Sequence, residues 1–294
     1  MTTAVEARGL GKKYGRRWAL TDCTLAVPAR HVVGLVGPNG AGKTTLLNLA
    51  TGMLEPTTGT IEVLGARPAS SPRQLARVGY VAQDTPTYAG LTVADHLRFG
   101  AHMNPGWDAG LAEGRIRQLG LDPKQRAGKL SGGQRAQLAL TLAVAKRPEL
   151  LILDEPIASL DPLARREFLQ ILMGATAEQE LSVVMSSHLV ADLERVADYL
   201  IVLVGSRVQV AGETDDLLAS HRLLTGARSD ASALPAGVQV ITESHTGRQS
   251  TFLVRSAAPV HDPAWVTDSV DLEDLVLAYM GKAASASPAL EEIR

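Results

Sequence analysis

The run Gly37-Pro38-Asn39-Gly40-Ala41-Gly42-Lys43-Thr44-Thr45 follows the apolar stretch Val32-Val33-Gly34-Leu35-Val36 and leads into Leu46-Leu47-Asn48-Leu49. It constrains the fold more than any other segment, because it requires a buried strand, a glycine loop and a helix start in that order. Glycines let the backbone curl around an anion with no Cβ in the way. Successive N–H groups and the positive end of the new helix then face that anion. Lys43 has the reach for the β and γ oxygens of a nucleoside triphosphate, and the Thr44 hydroxyl can ligate Mg²⁺. Glycine-rich strand-to-helix turns also occur without ligands, but here Gly37, Gly40, Gly42, Lys43 and Thr44 are all in register. The pattern implies triphosphate binding.

Composition narrows the class. A chain of 294 residues, 45% apolar and 20% charged, has room for one large domain or two modest ones with a real core. A net charge of −2 gives no global footprint for nucleic acid, so no nucleic-acid partner is expected. The single cysteine, Cys23, excludes an internal disulfide framework and reads as a small core or strand residue. The N-terminus lacks the apolar stretch of a secretory signal, and the longest apolar run, 138–145, is of core-helix length. Work at a membrane would need another chain to supply the span.

Up to Val36 the chain reads as short strands with turns at Gly9, Gly11, Gly15 and Pro28-Ala29-Arg30. Strand signals follow at 59–65 and 78–83, a helical pattern from Asp95 to about Lys146, and strands again at 150–153, 181–185 and 199–204, with helices around 162–173 and 190–196. Apolar strands alternating with helices argue a parallel sheet covered on both faces. After His221, Gly226–Ser232 resembles a linker, and 238–241 and 251–254 flank a hairpin turn at 245–248. A helix over 272–280 is expected to end at Gly281, followed by a disordered tail.

Two further segments carry chemistry. Leu150-Leu151-Ile152-Leu153-Asp154-Glu155 is a buried strand delivering two carboxylates at its carboxyl end, where ligands of open parallel sheets sit. Asp154 can hold the Mg²⁺ that Thr44 also touches, and Glu155 can point at water attacking the γ-phosphate. Leu130-Ser131-Gly132-Gly133-Gln134-Arg135 precedes a helix over 136–145, with Ser131 as its cap and bared N–H groups at a positive helix end. That is a second anion site in a chain needing one for its triphosphate.

On these motifs the chain resembles the ATP-binding subunits of ABC transporters over roughly residues 4 to 220, with Leu130-Ser131-Gly132-Gly133-Gln134 as the most specific mark. The resemblance implies an α/β P-loop core with a parallel sheet, an N-terminal antiparallel β subdomain and a helical signature subdomain over about 84–147; beyond it the residues themselves read as a small α+β C-terminal domain over 221–282, with 283–294 as a disordered tail. It implies that Tyr14 stacks on adenine, that Pro38, Asn39, Ala41 and Thr45 join the nucleotide cradle, and that Gln83 senses the γ-phosphate and the metal. Ser159-Leu160-Asp161 matches the loop joining two subunits, and His188 matches the switch histidine. It further implies a head-to-tail homodimer in which each ATP lies between one Lys43 loop and the Ser131, Gly132, Gly133 and Gln134 segment of the other copy. Ile157-Ala158 and Arg30-His31 depart from the family's usual residues without removing a catalytic group.

The expected function is an ATPase driving transport through a separate integral-membrane permease, on the cytoplasmic face of the cell membrane. Segment 85–93 and the ending 272–277 resemble exporter subunits, so export is the expected direction. The alternative is a soluble ABC ATPase acting on ribosomes or DNA, which predicts fused halves, a coiled-coil insert or a basic arm; none is visible. The C-terminal unit could also be a regulatory or ligand-sensing module.

Overall fold

The computed structural model describes residues 2–85, 87–158, 160–235, 237–260 and 262–285. From the amino terminus, β1 (Thr3–Tyr14) and β2 (Arg17–Pro28) form a hairpin, and β3 (Val32–Val36) then runs into α1 (Lys43–Ala50). β4 (Thr58–Val63), α2 (Pro72–Ala76) and β5 (Val78–Val81) follow, then α3 (Val93–Met103), α4 (Ala109–Gln118) and α5 (Gly132–Ala145). The chain alternates through β6 (Leu150–Leu153), α6 (Pro162–Glu178), β7 (Ser182–Ser187), α7 (Val190–Glu194) and β8 (Tyr199–Val204). It continues with β9 (Arg207–Glu213), α8 (Thr214–Ser220), β10 (His221–Ala227), β11 (Val238–His245), β12 (Gln249–Ser256), β13 (Trp265–Ser269) and α9 (Leu272–Ser285).

The central sheet has the order β5-β6-β7-β3-β8-β9, parallel throughout except for β9, which runs antiparallel to β8. Every residue of β3, β6 and β7 is buried, as the apolar runs of β3 and β6 require, and β7 buries Ser182, Ser186 and Ser187 along with its apolar centre. Alternation sends Val36, Leu151, Leu153, Val183 and Met185 to one face, against Leu140, Phe168, Leu172 and Leu193. The other face carries Val33, Leu35, Leu150, Ile152 and Val184, against Leu46 and Leu47 of α1 and Leu10 and Leu20 of the hairpin. That hairpin belongs to an antiparallel sheet of order β2-β1-β4. Gly9 and Gly11 do not turn the chain as expected: β1 runs straight through them, and the register shifts around Leu10 absorb them as bulges. The segment between β5 and β6 has a small core of its own, built on Val93, Ile116, Leu121, Leu130 and Leu138.

The C-terminal sheet, β11-β12-β10-β13, is antiparallel and apolar on both faces. Leu224, Phe252, Val254 and Trp265 form one side. Ile241 and Leu253 point the other way and join Leu272, Leu275, Val276 and Tyr279 of α9 in the same core as β3, β7 and α7. The unit at 221–282 is therefore fastened to the central sheet by α9. Gly226 does not open a linker; it is paired within β10, where a Cβ would lie 2.8 Å from the Trp265 ring. Nor does Gly281 end the last helix, which continues to Ser285, so 283–285 are helical and only 286–294 of the expected tail lie outside the described residues. Among the described residues no helix is long and apolar enough to cross a membrane.

Candidate functional site

The phosphate loop forms as its glycines demand. Gly42 caps α1 at φ 108°, and a Cβ on it would stand 2.4 Å from the Ala19 carbonyl oxygen. A Cβ on Gly37 would fall 2.0 Å from the Leu203 carbonyl oxygen, so the strand exit must be bare. Gly37 and Ala41 are buried, whereas Pro38, Asn39, Gly40 and Thr44 face outward and Thr45 is half-buried. The start of α1 thus presents exposed backbone and the Thr44 hydroxyl to solvent, as a polyphosphate with a hydrated cation requires.

Lys43 is buried at 5% exposure, its ammonium donating to the Gly37 carbonyl at 2.7 Å and lying 3.2 Å from Glu155 Oε1. Glu155, just past the carboxyl end of β6, therefore meets Lys43 at the start of α1, which follows β3. Its other carboxylate oxygen lies 3.1 Å from His188 Nδ1 at the end of β7. Glu155 sits at φ 45°, a left-handed conformation costly for a side-chain-bearing residue. Its N–H donates to Ser186 Oγ at 2.8 Å, and that hydroxyl donates to Asp154 Oδ1 at 2.7 Å. One serine so fixes both carboxylate residues. Nothing but the polar Ser186-Ser187 ending of an apolar strand hinted at it in sequence. Asp154 is 1% exposed, and burial with its neighbouring charge pushes the Tyr80 phenol up to about 12. Asp154 and Thr44 together are an oxygen donor set suited to Mg²⁺.

Gln83 is exposed in the turn after β5, and among the described residues no side-chain hydrogen bond joins it to the loop or to Asp154. Tyr14 is exposed at the hairpin tip, with Lys12 Nζ 5.6 Å from its ring centre. Pro86, in the segment 85–93, and Ser159, of the Ser159-Leu160-Asp161 loop, lie outside the described residues.

Ser131 caps α5 in a reciprocal box: its Oγ accepts from Gln134 N–H, and the Gln134 side-chain oxygen accepts from Ser131 N–H. The Gln134 amide oxygen is thus committed to the cap, while the Ser131 hydroxyl proton stays available to an anion. Among the described residues no hydrogen bond or ion pair joins 131–135 to the phosphate loop.

A hollow of about 970 Å³ is lined by Thr3, Arg30, Arg77, Glu149 and Glu180. It lies at the amino ends of β5, β6 and β7 and is crossed by the Arg77–Glu149 ion pair. Ligands of parallel sheets bind at carboxyl ends, so the site is assigned to the Lys43, Asp154, Glu155 and His188 cluster.

Comparison with known proteins identifies the family. The model of the ABC transporter family matches residues 20–158. The thiamine import ATP-binding protein ThiQ of Salmonella choleraesuis (strain SC-B67) is 37% identical over 216 residues, which cover 70% of this chain and 91% of that protein. Its counterpart in Shigella flexneri serotype 5b is 34% identical and covers 67% and 87%. A solved ATP-binding subunit of an ABC transporter is 29% identical with a TM-score of 0.67, covering 74% of this chain and 92% of that one. These curated relatives are named as import proteins, and they do not support the expected export direction.

Proposed function

The chain belongs to the ABC transporter family as an ATP-binding subunit, and from that premise we propose that it is an ATPase working as a pair of copies on a separate membrane permease. The observation that carries the reading is the contact of Glu155 with both Lys43 and His188 at the mouth of the glycine loop. In the proposed cycle Lys43 exchanges its carboxylate contact for the β and γ oxygens of ATP. Glu155, released from that cation, accepts a proton from the attacking water, a contribution of roughly 10²–10⁴ in rate. His188 holds Glu155 in orientation and meets the γ-phosphate. Loop amides, Lys43 and the facing helix end of a second copy spread the developing charge. Thr44 and Asp154, with Gln83 drawn in on closure, would hold Mg²⁺, which supplies Lewis-acid stabilisation of the phosphate oxygens when bound.

Two copies are proposed because the Ser131, Gly132 and Gly133 helix start, suited to an anion, makes no hydrogen bond or ion pair with the chain's own loop among the described residues. Closure then depends on ATP, and hydrolysis removes the contacts that favour it. Exposed Tyr88, Phe99 and Met103, with Tyr88 edge-on to Phe99 at 6.1 Å, offer an apolar face for the permease. Such a chain works on the cytoplasmic face of the membrane. The names of the relatives favour import, and the permease selects the substrate.

The purified chain should hydrolyse ATP with Mg²⁺. Glu155→Gln should lose hydrolysis by at least about 10²-fold while forming an ATP-dependent dimer on size exclusion. Brisk turnover by that variant would remove the base assignment.

A further inference from the structure

The first turn of α6 packs against the start of α5. Asp161 caps it, accepting from the N–H groups of Leu163 and Ala164 at 3.0 Å each. Ala164 lies against the start of α5: a Cβ on Gly133 would be 3.1 Å from the Ala164 Cβ. One residue further on, Arg165 turns toward α7, where its Nη1 stands 3.5 Å from Asp192 Oδ2. The same guanidinium reaches back 3.5 Å to the Leu160 carbonyl oxygen. Helix α7 begins two residues after His188, and Asp192 on it is only 6% exposed.

This pair is poorly satisfied for its depth. Arg165 Nε and Asp192 Oδ2 are both buried without a hydrogen-bond partner. A separation of 3.5 Å is an ionic contact rather than a good hydrogen bond, whereas an Arg–carboxylate fork normally closes to about 2.8 Å at two points. Buried charges held this loosely contribute little to stability, since desolvation offsets the attraction. Burial pushes the Asp192 carboxyl up, against the pull of Arg165, His188 and Arg195. A loose charged contact between two helix starts can close or open with small movements of either.

We propose that Arg165 and Asp192 are positioning residues that couple the two nucleotide sites: the pair ties the α6 turn, which abuts the Ser131–Gly133 helix end, to the helix that places His188 against Glu155. Movement of the Ser131–Gly133 end onto a nucleotide held by a second copy then closes the Arg165–Asp192 fork and sets His188 in the chain's own site. The inference rests on the hydrolytic reading above.

Removing one charge strands the other, so either single variant is expected to lower Tm. The decisive variant is therefore the neutral, shape-conserving pair Arg165→Met with Asp192→Asn. Its Tm should stay within about 3 °C of the unchanged chain. Its kcat should fall about tenfold at unchanged ATP Kd, and Asp192→Glu alone should restore most of the rate. The ring NMR signal of His188, assigned with His188→Gln and recorded without nucleotide, should move in the neutral pair and not in Asp192→Glu. A stable neutral pair with an unmoved His188 signal overturns the proposal whatever its rate. Should the unchanged chain hydrolyse no ATP, the proposed function falls, while the nucleotide-free His188 signal still decides the pair.

Discussion

Lys43 Nζ, buried, stands 3.2 Å from Oε1 of the mostly buried Glu155, so the cation meant for phosphate and the carboxylate meant for water occupy one another. This ties binding to catalysis: phosphate oxygens must compete with Glu155 for the ammonium. Glu155→Gln removes that competition. Its ATP Kd, measured by titration calorimetry, should fall by at least about threefold while hydrolysis is lost. A weakened affinity would show that the ion pair does not oppose binding.

Ser186 satisfies two buried groups at once, the Asp154 carboxylate and the Glu155 N–H. Ser186→Ala leaves both unpaired and should cost about 1–3 kcal/mol of stability in urea unfolding, with a roughly tenfold loss in kcat. An unaltered rate in that variant would mean the serine holds the fold and not the carboxylates' aim.

Gly132 has open space where a Cβ would stand, so a side chain there does not disturb the monomer. Gly132→Asp should therefore fold normally and bind ATP as before. Its carboxylate would face the phosphates held by the other copy, and the ATP-dependent dimer seen in the Glu155→Gln background should disappear. Unchanged dimerisation by light scattering would count against the facing arrangement of the two copies.

Tyr14 is half exposed, with the Lys12 ammonium over its ring. Tyr14→Ala should weaken ATP binding by about 1–3 kcal/mol if the base stacks there, and Tyr14→Trp should recover it. Equal affinity in all three chains would place the base elsewhere.

His221 is fully buried; its Nδ1–H donates to the Leu217 carbonyl at 2.7 Å, and its Nε2 accepts from the Tyr279 hydroxyl at 2.9 Å. Burial, with Arg255 and Arg222 nearby, holds its pKa below the ordinary 6.5. The unfolded chain then takes up a proton before the folded one does. The stability this histidine lends is fully present above pH 6.5 and is lost as pH falls below that value. Thermal melts between pH 7.5 and 5 should show the decline, with a shallower slope for His221→Gln. Parallel slopes would exclude His221 as the sensitive group.

The nucleotide loop and the Ser131 cap were legible from residues alone because each is a local object. Glycine geometry, a strand before the loop and a helix after it are all written within a few neighbouring positions, as are the Ser131 and Gln134 halves of the capping box. The parallel strands of the central sheet were legible too, since burial on both faces leaves mostly apolar runs, whereas the half-exposed edge strand β9 went unread. Gly9, Gly11 and Gly281 misled because a glycine's freedom permits a turn or helix end without compelling one. At these positions strand pairing and the packing of α9 decided otherwise. Only the tertiary structure joined Glu155 to Lys43 and His188, set Ser186 beneath both carboxylates and brought Arg165 to Asp192. Those contacts unite strands and helices remote in the chain, and no local preference of either partner encodes the other's place. The fastening of the C-terminal unit is of the same kind, because the apolar face of α9 reads alike whether it closes a separate domain or, as here, completes the core beside β8 and α7.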